Sequence, residues 1–322
     1  MSAALALAHE AAAAPAAASH PLHGQDRAWP ETNCYVDLWI ELLHGRGLEP
    51  EGMLGFTLRQ DFEGDQFTFF KPSMADIEAL YGLRLEELAI YDGLERHAAL
   101  QAARGCPVLV EVDAIHLPDT AGTTYGRDHA KTTIAILSLD PRRRTLDYLH
   151  NAGRFRLAGD DYDGIFGPTL LPPYAEFVKV VAPPLAPGAL RAAARAMLRG
   201  HRARAPRKNP VRAFREALAE TGEALVRQPL SVFHSYAFNT TRQLGANFEL
   251  LGSHLAWLDA SGVADLAAAA EAATRLAQET KAVQFQLARA FGRRNAAPLA
   301  AALERPAASY DAVFAALDRA LD

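Results

Sequence analysis

Within residues 34–43 (CYVDLWIELL), apolar side chains recur at Val36, Trp39, Ile40 and Leu43, in steps of three and four. That spacing marks one face of a helix, and Gly45 and Gly47 supply stop signals after it. Residues 74–80 and 84–100 are predicted as helices too. The pattern then changes. PVLVEVDAI (107–115) is rich in β-branched residues with partial alternation, and KTTIAILSL (131–139) and TLDYLHN (145–151) also read as strands. The last two are joined by DPRRR, a good turn sequence, so helices are followed by an antiparallel meander. Past residue 185 Ala, Leu, Arg and Glu dominate at helical spacing. Helices are predicted over 187–203, 210–227, 230–259, 261–292 and 308–321, punctuated by Pro206, Pro210, Pro229, Gly262 and Pro306. The expected architecture is α+β: a flexible Ala-rich tail (1–25), a mixed domain (26–185) and an antiparallel helical bundle (186–322).

Composition narrows the class. Half of the 322 residues are apolar, enough for a sizeable core, and the net charge of −5 argues against a general nucleic-acid binder. No apolar run approaches the roughly 18 residues of a membrane span. The first residues lack the positive start of a secretion signal, since no Lys or Arg precedes Arg27, so a cytoplasmic location is expected. Cys34 and Cys106 are then read as free thiols. No metal is indicated: two Cys cannot build a zinc site alone, and no H-E-x-x-H pairing occurs. The acidic cluster Asp61, Glu63 and Asp65 fails as a calcium loop, because Gln66 and Pro72 stand where Gly and Glu belong.

Candidate chemistry centres on Cys34. A thiol attacks carbonyls as thiolate, a form favoured at a helix N-terminus and beside an imidazolium. Cys34 opens its predicted helix directly after Asn33. His129 lies at the mouth of a predicted strand, and the next strand ends at His150 and Asn151. A nucleophile, a base on one strand and an orienting amide or acid on the next make a thiol acyl-transfer site. Asn151 is the expected orienter, with Asp147 as the alternative. Cys106 precedes Pro107 and leads straight into a strand, so it is assigned to the core.

Other residues carry weaker signals. Asp113, at a strand end, is read either as a substrate-amine contact or as a capping carboxylate. The segment 61–72 holds Phe62, Phe67, Phe69 and Phe70, read as a pocket lining or as loop anchors. Between Glu176 and Glu216 every charged residue is basic, from Lys179 through Arg191, Arg195, Arg199, Arg202, Arg204, Arg207, Lys208 and Arg212 to Arg215. Such a run is a solvated face or a dock for an acidic partner. In the helix 230–259, Arg242, Gln243, Asn247, Glu249 and His254 are an unusual polar density. Arg242 and Glu249 share a face and, with Gln243, are expected either to reach the site or to form a buried network.

The motifs Asn33-Cys34, Asp113, Leu117-Pro118, His129 and Asn151, over residues 30–165, resemble the N-terminal domain of butirosin-biosynthesis protein H, a papain-like group of cysteine acyltransferases. The whole chain is also similar to a bacterial family encoded beside amino acid:carrier-protein ligases. The resemblance implies a papain-like cysteine-peptidase fold with catalytic Cys34, His129 and Asn151; Asn33 and Asp113 and, from their place on the helix 230–259, Arg242, Gln243 and Glu249 are expected near the substrate. It implies transfer of an aminoacyl or acyl group from a carrier-protein phosphopantetheine thioester to a small-molecule or peptide amine. No bound cofactor, nucleic acid or membrane is implied, the phosphopantetheine coming with the carrier. Papain-like proteases place an oxyanion-hole Gln about six residues before the Cys; here position 28 is Ala and the nearest Gln is Gln25. The other readings are a cysteine peptidase or amidase using the same residues, and a non-catalytic binding protein on this scaffold.

Overall fold

A computed structural model describes residues 18–167, 172–262 and 265–321. The first helix, α1 (Cys34–His44), begins where Asn33 caps it, the Asn33 side chain accepting the Val36 amide at 3.0 Å. Residues 35–43 are all buried, including Asp37 and Glu41. A buried carboxylate needs a partner. His23, on a short 3-10 turn (Pro21–His23), supplies it: Nδ1 meets Glu41 at 2.6 Å and Nε2 meets Asp37 at 3.4 Å. The pair corrects the expectation of a flexible tail through residue 25. Residues 18–25 pack on α1, with Leu22 and His23 buried; residues 1–17 lie outside the described residues.

A 3-10 segment (Pro50–Arg59) and α2 (Met74–Tyr81) follow. Gly82, left-handed at φ 63°, ends α2, and a Cβ there would strike the Ala182 carbonyl. The helix expected over 84–100 is instead β1 (Leu83–Glu87) and α3 (Leu94–Ala103). Leu, Arg and Glu favour helices, but here the backbone of 83–87 pairs with a distant strand, and tertiary pairing overrides propensity. β2 (Val108–Asp113), β3 (Lys131–Asp140) and β4 (Thr145–His150) form the expected meander, extended by β5 (Gly153–Ala158). After α4 (Asp160–Phe166), β6 (Ala175–Val180) completes a six-stranded antiparallel sheet of order β1-β6-β2-β3-β4-β5.

The sheet's two faces bury different partners. Leu109, Ala135, Leu149 and Val178 pack with α1, while Val108, Val110, Ile134, Ile136 and Tyr148 pack with Ala98 of α3 and Tyr162 and Ile165 of α4.

The rest is helical: α5 (Pro187–Ala203), α6 (Pro210–Leu225), α7 (Leu230–Ala237), a π turn (Phe238–Arg242), α8 (Gln243–Asp259), α9 (Ala267–Arg293), α10 (Leu299–Ala302) and α11 (Glu304–Leu321). α11 starts before the expected residue 308 because Pro306 falls in its first turn, where a missing N–H costs little. The core over α1 continues without a break into these helices, so the chain divides near residue 185 but its apolar core does not. None of the described helices is long and apolar enough to cross a membrane.

The basic run is partly neutralised within the molecule. Arg202 pairs with Asp318, Arg212 with Asp311, Arg215 with Glu304, Arg191 with Glu49 and Lys179 with Glu86. Three of these pairs fasten α5 and α6 to α11. The pairs engage five of the ten basic residues of the run, and the other five form no ion pair among the described residues. The aromatic segment 61–72 likewise serves as an anchor: Phe62 and Phe67 each lie 5.4 Å from the Phe214 ring of α6, and the Phe67 amide donates to Asn239 at 3.0 Å.

Candidate active site

Cys34 is the first residue of α1 and is half-buried with a free thiol. Asn33 accepts the Val36 amide, and among the described residues no hydrogen bond engages the amides of Cys34 or Tyr35. Such unpaired first-turn N–H groups carry the positive end of the helix dipole. The remaining valence of Asn33 is spent, its Nδ2 donating to the Phe70 carbonyl at 3.1 Å. Asn33 is therefore a cap that fixes where α1 starts.

His129 sits two residues before β3 and its side chain is 62% exposed, whereas that of Asp113 is 10% exposed. Their contact, Nδ1 to Oδ2, is 2.5 Å. The other oxygen of Asp113 accepts the amides of Ala130 at 3.1 Å and Ile115 at 3.2 Å. Burial pushes the Asp113 carboxyl up, but the hydrogen bonds from His129, Ile115 and Ala130 together hold it below the ordinary carboxylate value. Asp113, and not Asn151, is the residue hydrogen-bonded to the His129 ring. With Nδ1 bonded to Asp113, Nε2 of His129 faces outward, and among the described residues no hydrogen bond joins it to Cys34.

Antiparallel pairing brings the relevant chain ends together. Asp113 is opposite Lys131, and Leu149 is opposite Ala135, so the end of β2, the start of β3 and the end of β4 share one end of the sheet. α1 runs along β3 and β4. Its C-terminal Gly45 and Arg46 line a small cavity with Leu137, toward the far end of β3. Its entry segment, Pro30 and Glu31, lines another with Ala152 of the β4–β5 turn.

The remaining candidates are structural. Asn151 is left-handed at φ 46° and turns the chain between β4 and β5, a conformation Asn tolerates better than most residues. Asp147 lies toward the opposite end of the hairpin and accepts from Ser138 Oγ at 2.9 Å. Arg242 donates from Nε to the Thr32 carbonyl and from Nη2 to that of Glu31, both at 3.0 Å. Glu249 accepts the amides of Ala28 at 2.9 Å and Trp29 at 2.8 Å. The two residues grip successive peptides of the strap leading to Cys34. The π turn ending at Arg242 is where Thr240 and Thr241 bond back to carbonyls four residues earlier. Gln243 is buried and its carbonyl accepts from Gln60 at 3.1 Å; Asn247 donates to Thr57 at 2.9 Å; His254 contacts the Glu51 carbonyl at 2.7 Å. Asn247 and His254 thus bond to the 3-10 segment, whereas the side-chain amide of Gln243 is buried without a hydrogen-bond partner among the described residues. Cys106 is half-buried beside the left-handed Gly105 turn, not in the core, since the strand only begins at Val108.

A second histidine–carboxylate pair escaped the sequence reading. His150 Nδ1 lies 2.5 Å from Asp119, its Nε2 is 2.8 Å from Thr132 Oγ1, and Tyr148 donates to the same carboxylate. Its signal was the acid directly after the Leu117-Pro118 turn. Both ring nitrogens are engaged and the side chain is buried, so this pair ties the β2–β3 loop to β4. Asp113 also lines a cavity of about 320 Å³ with Glu111, Leu94 and Phe166.

No curated protein matches the chain. The DUF1839 N-terminal domain matches residues 18–180 and the DUF1839 C-terminal domain matches residues 188–319, so the chain belongs to the DUF1839 family.

Proposed function

We propose that this protein is a cysteine-dependent acyltransferase, built on a papain-like version of the α+β fold. Two observations support the reading: the Asp113 carboxylate holds Nδ1 of His129, and Cys34 opens α1 with a free, half-buried thiol. A histidine held this way keeps its other nitrogen for a proton, the arrangement thiol acyl transfer requires. The motif resemblance over residues 30–165 to the butirosin-biosynthesis H group supports it, with Asp113 in place of Asn151 as the orienting group.

In this mechanism His129 Nε2 takes the Cys34 proton and the thiolate attacks a phosphopantetheine thioester on a carrier protein. The carbonyl oxygen gathers charge toward the free amides of Cys34 and Tyr35. The donor C–S bond breaks, the carrier thiol leaves with the proton from His129, and a Cys34 thioester remains. An amine then attacks, His129 accepts its proton, and Cys34 leaves as the thiol when the amide forms. A thioester is already activated, so transfer needs less electrophilic help than amide cleavage.

The test is incubation with an aminoacyl-loaded carrier protein followed by intact mass spectrometry. An acyl adduct on wild type, missing in Cys34→Ala and discharged by added amine, is expected. Discharge by water at the same rate without amine assigns a hydrolase, and absence of any adduct contradicts the proposal.

A further inference from the structure

A second cavity, of about 370 Å³, lies between the sheet half and the helical half. Trp29, Pro30 and Glu31 of the strap form one wall, and Arg242, Lys281 and Gln284 form the other. Lys281 Nζ lies 4.1 Å from the centre of the Trp29 ring, and among the described residues it has neither a hydrogen bond nor an ion pair. Burial, then the nearby Arg242 charge, pushes its pKa down, while Glu249 pushes it up. The guanidinium of Arg242 is occupied by the Glu31 and Thr32 carbonyls but still adds its charge to the cavity. Oε1 of Gln284 is buried there without a partner.

His23 on the wall faces two carboxylates, Asp37 and Glu41, and the half-exposed Glu31 carboxylate lies 3.7 Å from Arg242 and offsets its charge. Lys281 is thus a partly desolvated ammonium on the wall of this cavity with no ion pair among the described residues, and such a group is complementary to an oxyanion. The strap forming the wall ends three residues later at Cys34.

We propose that this cavity receives an oxyanionic group, a carboxylate or a phosphate, carried by a substrate of the Cys34 site and held chiefly by Lys281. The assignment to a substrate rests on the acyl-transfer reading; the anion site itself does not. Specificity for one acid over its neutral analogue would thus come from the helical half.

Calorimetric titration of the full chain with inorganic phosphate and, separately, with acetate, both at constant ionic strength, tests it. Saturable binding of at least one anion is expected, and whichever binds more tightly assigns the group. Loss of the ammonium contact in Lys281→Gln is expected to weaken binding about tenfold, with recovery in Lys281→Arg and no change in Lys208→Gln, an exposed position. Equal binding by wild type and Lys281→Gln, or no saturable binding of either anion, would overturn it. Cys34→Ala is expected to bind as wild type does, so failure of the acyl-transfer reading leaves this result readable on its own.

Discussion

Asp113 and His129 meet at 2.5 Å across the mouth of the β2–β3 connection, with the second Asp113 oxygen bound to the amide of Ala130, the residue after His129. One carboxylate therefore sets both the ring and the peptide beside it. Asp113→Asn keeps the shape but allows the ring to bind through the wrong tautomer. Transfer is expected to slow roughly a hundredfold or more, with little change in thiol exposure. The sign of the pH effect follows from the depressed carboxyl. Its stabilising contribution is present above its unfolded value near 3.8 and is lost as pH falls through the lower folded value. Steady-state rates and acid melts of the two proteins check both points.

The clamp on α1 makes a second pH-dependent element at the opposite extreme. Burial pushes His23 down, but hydrogen bonds to Asp37 and Glu41 outweigh it and raise the group to about 9. A raised folded value means that stability is complete below about 6.5 and lost as pH rises through about 9. Melting temperature is expected to fall across that window in wild type and to change far less in His23→Gln. Parallel curves for the two proteins would rule the clamp out as the cause.

Steric fit joins the halves at Trp29. A Cβ on Gly245 would meet the Trp29 indole, which is buried and donates to the Ala277 carbonyl at 3.1 Å. Ala normally favours a helix over Gly by about 1 kcal/mol, while overpacking a rigid ring costs about 1–3 kcal/mol. Gly245→Ala is therefore expected to lower stability in urea denaturation, and, because Trp29 lies on the strap, to slow Cys34 reactions as well.

Reversal of Arg202 and Arg212 turns two attractions to α11 into repulsions. Exposed pairs contribute about 0–1 kcal/mol each, so the double variant Arg202→Glu, Arg212→Glu is expected to melt a few degrees lower. Its transfer rate with a carrier substrate is expected to match wild type. A salt-sensitive loss of turnover without destabilisation would return these residues to a docking role.

Much of this was legible in the chain. Val36, Trp39, Ile40 and Leu43 announce α1, and β-branched runs announce β2, β3 and β4, because local spacing and burial coincide there. β5 was not legible: Arg154, Phe155 and Arg156 are exposed at the sheet edge and show no alternation. LRLEE reads as helix until its pairing with β6 is known. The thiol and imidazole were identified by position relative to predicted elements. The Asp113–His129 contact was not legible because Asp113 precedes His129 on the neighbouring strand, and only the sheet register brings the two together. The burial of Asp37 and Glu41 among residues 35–43 was likewise invisible, since both carboxylates meet His23, a residue that looked like part of a tail.

Alkylation of Cys34 tests the central assignment most directly. The full chain is treated with iodoacetamide across pH, and modification of Cys34 and Cys106 is followed separately by peptide mass spectrometry. A catalytic Cys34 reacts faster than Cys106 below neutral pH and loses that advantage in His129→Ala. Equal rates at the two thiols, or a Cys34 rate untouched by loss of His129, would contradict it.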